Sequence, residues 1–204
     1  MADPNEVFLF LSIQENDLKR LSQLLDDNPG LVSWRRDHAL PTPLHASLFR
    51  PQIARMLLER GANPNEIDTD DNCLTPLHLT AENGDVETMQ VLLEFGADPN
   101  CRSRWGTPLH HSLGIHEKFS RERCLEIVKL LLAHGADINA CIQPGKDAWT
   151  PLHQACTEGL KDVVEFLLQK GARTDLANDG LTPLMVAQAM GETAIAELLS
   201  RYPS

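Results

Sequence analysis

Apolar residues along this chain fall into pairs of short helical stripes, each pair separated from the next by a polar, glycine-bearing stretch. The second stripe of each pair is the clearer: Ile53 to Leu58, Val86 to Leu93, Leu125 to Leu132, Val163 to Leu168 and Ile195 to Leu199 carry apolar side chains at helical spacing. Glycine follows four of them, at Gly61, Gly96, Gly135 and Gly171, where it predicts a left-handed C-terminal cap. The first stripe opens on the tripeptide Thr-Pro-Leu, at Thr42, Thr75, Thr107, Thr150 and Thr182, and the first four continue into His. Proline pushes the residue before it out of the α region, so each Thr is predicted at a non-helical N-cap, its hydroxyl accepting from an orphan N–H. The proline then takes the first helical position, where no N–H is needed.

These tripeptides recur at intervals of 33, 32, 43 and 32 residues. After the capping glycines the chain reads Gly-Ala-Asn-Pro-Asn, Gly-Ala-Asp-Pro-Asn, Gly-Ala-Asp-Ile-Asn and Gly-Ala-Arg-Thr-Asp, which predicts turns or hairpins. A short helix, a second helix and a loop at this period, with Thr-Pro-Leu-His opening the unit, resembles the ankyrin-repeat family. The resemblance spans nearly the whole chain. It implies an all-α fold, an ankyrin-repeat solenoid of stacked helix-turn-helix units with protruding hairpin loops. The expected units are 1–41 (a degenerate N-terminal capping repeat), 42–74, 75–106, 107–149 (with an insertion), 150–181 and 182–204 (a C-terminal capping repeat). Residues 1–41 lack the tripeptide but keep an apolar run from Val7 to Leu11, Asn16 or Asp17 as a cap, a stripe of Leu18, Leu21, Leu24 and Leu25, and Asn28-Pro29-Gly30 as a stop. The last unit has Met185 where His is expected and no Gly-Ala-Asp turn after it.

Composition narrows the setting. No segment is apolar for long enough to span a membrane, and Val7 to Leu11 has no basic residues before it, so neither a membrane span nor a secretory signal is expected. Five cysteines, Cys73, Cys101, Cys124, Cys141 and Cys156, are odd in number and lack ligand spacing, which points to a reducing, cytoplasmic location. A net charge of −11 argues against a nucleic-acid partner. The acidity is concentrated in the N-terminal half and is densest at Glu66, Asp68, Asp70 and Asp71, so a protein partner with a basic surface is expected to be steered there. A monomer is expected.

Departures from the repeat show where a generic scaffold becomes a particular one. Gly61 to Thr75 is 14 residues and Gly135 to Thr150 is 15, against 11 for Gly96 to Thr107 and for Gly171 to Thr182. Thr107 to Gly135 is 28 residues against 21 in the units opening at Thr75 and Thr150, which places an insertion at Gly114 to Ser120, with Ser120 as N-cap of a lengthened second helix. The resemblance implies contacts through hairpin tips and the exposed side of the first helices, a concave face. The matching positions include Asp71, Asn72, Glu82, Asn83, Arg102, Arg104, Trp105, His111, Lys146, Trp149, Thr157, Glu158 and Met190, and Asp68 and Asp70 of the acidic loop are expected to join them in binding a partner. Trp105 and Trp149 lie just before a Thr-Pro-Leu, and an aromatic centre there, edged by Arg102, Arg104 and His111, is the expected core of a binding face. Phe49 occupies a similarly exposed position, whereas Trp34 is expected to pack.

His45, His78, His110 and His153 belong to the motif, where the resemblance implies hydrogen bonds to backbone and neighbouring repeats; no metal or other cofactor is expected. No phosphate loop, nucleophile elbow or paired catalytic acids occur, so an enzyme is not expected. The expected function is a protein–protein interaction module: a scaffold, adaptor or regulatory subunit. One alternative is a stoichiometric inhibitor or immunity-type protein that occludes a basic enzyme such as a nuclease. Another is a substrate of an asparaginyl hydroxylase at Asn65, Asn100 and Asn139.

Overall fold

The structure, a computed structural model, describes residues 4–35, 42–68, 72–114, 119–142 and 148–202. Two helices precede the first tripeptide: α1 (Pro4–Gln14) and α2 (Leu18–Asp27). Asp17 caps α2 by accepting from the backbone of Arg20 at 3.0 Å. A 3-10 turn, Pro29–Ser33, leads on.

Thr42 does not start an α-helix. Its unit holds only a 3-10 turn at His45–Ser47 before α3 (Pro51–Glu59). Thr42 to Pro51 is nine residues, whereas Thr75 to Val86, which opens the next second helix, is eleven. Two missing residues remove the last turn of the helix, and Phe49 takes a left-handed φ of 58° to make the corner.

Later units follow the expected plan. Helices α4 (Pro76–Asn83), α6 (Pro108–Leu113), α8 (Pro151–Thr157) and α10 (Pro183–Ala189) each begin on the proline of the tripeptide. Their partners are α5 (Val86–Glu94), α7 (Arg121–Ala133), α9 (Lys161–Gln169) and α11 (Thr193–Leu199). In α4 the Thr75 hydroxyl accepts from the backbone N–H of His78, while the Thr75 N–H is taken by His78 Nδ1 at 3.1 Å, a reciprocal cap. The first helices stack α4 on α6, α6 on α8 and α8 on α10; the second helices stack α3 on α5 and on through α7 and α9 to α11. Between the rows runs one continuous apolar core, with Leu77, Leu109 and Leu152 from the first row and Leu57, Leu92, Ile127 and Leu167 from the second. Fully burying each such side chain contributes about 1.5 to 3 kcal/mol.

Among the described residues the loops between units are turns, with isolated bridges Ser103 to Gly106 and Asn178 to Leu181. The insertion lengthens α7 to 13 residues, against nine in α3, α5 and α9, and Ser120 accepts from Arg123 N as its N-cap. Phe119 packs against Gly84, in the turn between α4 and α5 at the end opposite the inter-unit loops. Among the described residues no helix is long and apolar enough to cross a membrane. All five cysteines are free thiols, and burial raises those of Cys124 and Cys156 to about 12.

Candidate functional site

The motif histidines are the joints of the stack. Nδ1 of His78, His110 and His153 accepts from the N–H of its own threonine, at 3.1, 3.2 and 3.2 Å. That leaves Nε2–H to donate to the carbonyl just before the next unit's threonine: His78 to Gly106 O at 3.2 Å, His110 to Trp149 O at 3.3 Å and His153 to Leu181 O at 3.1 Å. His45 Nε2 meets Leu74 O at 3.1 Å in the same way. Burial lowers the pKa of His78 to about 3 and of His110 to about 4, so both rings are neutral, the form in which one nitrogen accepts while the other donates. Burial also lowers His153.

A second ladder runs along the inter-unit turns. Asp98 N donates to Asn65 Oδ1 at 2.7 Å and Asn65 Nδ2 donates to Gly96 O at 3.2 Å; Asn100 makes the same pair with Asp137 N at 2.7 Å and Gly135 O at 2.9 Å. Asn139 accepts from Arg173 N at 2.9 Å. Each of these asparagines thus caps the turn of the unit after it.

Between α4, α6 and α8, on the side of the inter-unit turns, lies an open groove of about 380 Å³. Trp105 forms one wall and is 59% exposed. The indole is held in place: Nε1–H donates to Asn72 Oδ1 at 3.3 Å, the Arg104 backbone N–H donates to Asn72 O at 2.9 Å, and the Arg104 guanidinium lies 5.6 Å from the ring centroid. Glu82 and His111 line the floor, together with His110 and Gln154. His111 bonds Ser103 Oγ through Nε2 at 2.8 Å, stands 3.6 Å from the Glu82 carboxylate through Nδ1, and meets His78 edge-on at 5.0 Å. Burial lowers its pKa, and Glu82 opposes that shift. Gln154 keeps a buried Oε1 with no hydrogen-bond partner among the described residues.

Several expected contact residues are engaged within the chain. Trp149 is half-buried and stacks on His153, with ring centroids 5.4 Å apart, so it is not the second exposed anchor that the sequence predicted. The register explains this: Trp149 directly precedes Thr150, the position held by Gly106 in the preceding unit, and Trp105 lies one residue further out. The His111 side chain is only 7% exposed and belongs to the floor rather than the edge. Asp68 closes its own loop by accepting from Leu74 N at 2.6 Å, and Glu66 pairs with Arg35, so both half-buried acids are engaged within the chain. Asp70, Asp71 and Lys146 lie outside the described residues.

The remaining positions divide by exposure. Arg102 reaches across to Cys141 O in the next turn. Asn83 and Thr157 bond the backbone of their own helices, at Leu79 O and His153 O. Glu158, at the end of α8, is half-buried, whereas Met190 after α10 is exposed. Phe49 is exposed and Trp34 packs edge-on against Phe10 at 5.6 Å. Sequence reasoning missed Gln154. It directly follows the motif histidine, as His111 does one unit earlier, and that equivalence is the pattern that would have found it.

The family model for ankyrin repeats (3 copies) matches residues 53–140 and 115–203. The chain belongs to the ankyrin-repeat family, whose members are generally protein–protein interaction modules. It is 34% identical over 196 residues to the ankyrin repeat protein YahD of Escherichia coli (strain K12), covering 93% of this chain and 92% of YahD. It is 36% identical over 124 residues to the cyclin-dependent kinase 4 inhibitor B of Mus musculus, covering 60% of this chain and 88% of that protein. Against the nuclear factor NF-kappa-B p105 subunit of Gallus gallus it is 31% identical over 206 residues, covering 97% of this chain and 20% of the much longer relative.

Proposed function

We propose that this chain is a stoichiometric binding module whose protein partner seats in the groove beside Trp105. The observation that carries this reading is a large aromatic side chain, more than half exposed, fixed by Asn72 and Arg104 at the mouth of a groove. An exposed aromatic that is already ordered gives up little conformational freedom on binding, and tryptophan and arginine dominate interface energetics. The test is capture of a partner from source lysate by the wild type, followed by titration calorimetry of that purified partner. Trp105→Ala should weaken binding by at least about 2 kcal/mol, roughly thirtyfold. Unchanged affinity in that variant would remove the groove from consideration.

Similarity to a protein named as a kinase inhibitor, over most of that protein's length, favours inhibition as the mode of action. The captured partner's activity should then fall in proportion to added chain and reach its floor at one equivalent. Full activity at saturation would leave a scaffold or adaptor role.

A further inference from the structure

We propose that the two end faces of this stack are complementary and join copies of the chain head to tail. The leucine and histidine of the motif are buried in the four units that have another stacked on them: Leu44, Leu77, Leu109 and Leu152, with His45, His78, His110 and His153. In the unit opening at Thr182 the same two positions are Leu184, half-buried, and Met185, 48% exposed. Leu184 borders a groove of about 420 Å³ between α10 and α11, shared with Ala196 and Glu197. Leu181 and Met190, both exposed, extend the apolar surface. Methionine in place of histidine exchanges a directional hydrogen bond for an adaptable apolar contact.

The opposite end carries a matching surface. Helix α1 buries Leu9 and Ile13 inward but also shows Val7, 48% exposed, Phe8, 42% exposed, and Leu11 to solvent. A helix that is apolar all round is ordinarily covered on every side. The Arg20 guanidinium lies 4.8 Å from the Phe8 ring and pairs with Glu15 at 3.7 Å, so its charge is balanced within the chain and the face is chiefly apolar. Every junction inside the molecule sets the C-terminal-facing side of one helix pair on the N-terminal-facing side of the next. A second copy of the chain presents a described surface that continues this arrangement with the same apolar chemistry. Because the two faces differ, the contact is heterologous and propagates to oligomers larger than two, or closes into a ring.

The experiment is sedimentation velocity on residues 1–204 from about 5 µM to about 500 µM, since association of this kind depends on protomer concentration. The wild type should gain mass with concentration. Phe8→Asp and Met185→Asp each leave one face intact, so each alone should stay monomeric, while an equimolar mixture should reach twofold the monomer mass and stop. Both side chains are more than two-fifths exposed, and matching thermal unfolding midpoints will show that the variants fold. A wild type of constant monomer mass, a single-face variant that still self-associates, or a mixture that remains monomeric would each overturn the proposal. None of these outcomes bears on the groove at Trp105, which Trp105→Ala tests separately.

Discussion

Phe119 lies directly over Gly84: a methyl group added to that glycine would come within 2.7 Å of ring Cδ1. Gly84 also ends α4 with a φ of 75°, a conformation that L side chains resist. Gly84→Ala should therefore destabilise the chain by roughly 2 to 4 kcal/mol, combining backbone strain with overpacking. Denaturant titration measures the loss. Phe119→Ala in the same molecule removes the two closest ring contacts, so the double variant should be more stable than the sum of the single losses predicts. Strict additivity would mean that the ring does not rest on the glycine.

Acid should loosen the joints. His78 and His110 have folded-state pKa values near 3 and 4, below the ordinary 6.5, so the unfolded chain binds more protons than the folded one between those limits. Their stabilisation is complete above pH 6.5 and falls as pH drops, by about 1.4 kcal/mol per pH unit per histidine. Between pH 7 and pH 5 the two together should cost up to roughly 4 kcal/mol. Unfolding free energies across that range test the slope, and His110→Gln should reduce it by about half of the two-ring contribution.

The two tryptophans should separate stability from binding. Trp149 is half-buried on His153, and truncating it to alanine is expected to cost about 2 kcal/mol or more. Trp105→Ala removes an exposed ring with one long hydrogen bond and should shift stability by no more than about 0.5 kcal/mol. Thermal unfolding of the two variants side by side decides; equal losses would contradict the difference in their settings.

Asn100→Ala deletes both bonds by which one turn caps the next, to Asp137 N and Gly135 O. Because the turn is solvent-exposed, water replaces part of each bond, and a loss of roughly 1 to 2 kcal/mol is expected. Hydrogen exchange at Asp137 should accelerate in this variant before exchange in α4 or α9 does.

Much of this was legible because the repeat is written in local chemistry. A threonine before a proline, a proline at the first helical position and a glycine two residues past a helix end act within a few residues, so the helix starts at Pro76, Pro108, Pro151 and Pro183 could be placed from sequence. Thr42 carries the same tripeptide, but Pro51 arrives two residues early and leaves room for a 3-10 turn only. The candidate site was less legible because its partners come from afar. Counting charge marks Glu66 as part of an acidic patch, whereas Arg35, thirty-one positions away, takes it into an ion pair. Trp105 and Trp149 look equivalent until the one-residue offset from the threonine is applied, and that offset sends one indole outward and folds the other onto its own helix.

The carbonyl that His78 holds belongs to Gly106, the residue that follows Trp105 in the chain. The most exposed tryptophan and a hinge point of the solenoid are therefore covalent neighbours. A partner that grips the indole also restrains the seam between two units, so occupancy of the face would be transmitted to the curvature of the array as stiffness rather than as a change of shape.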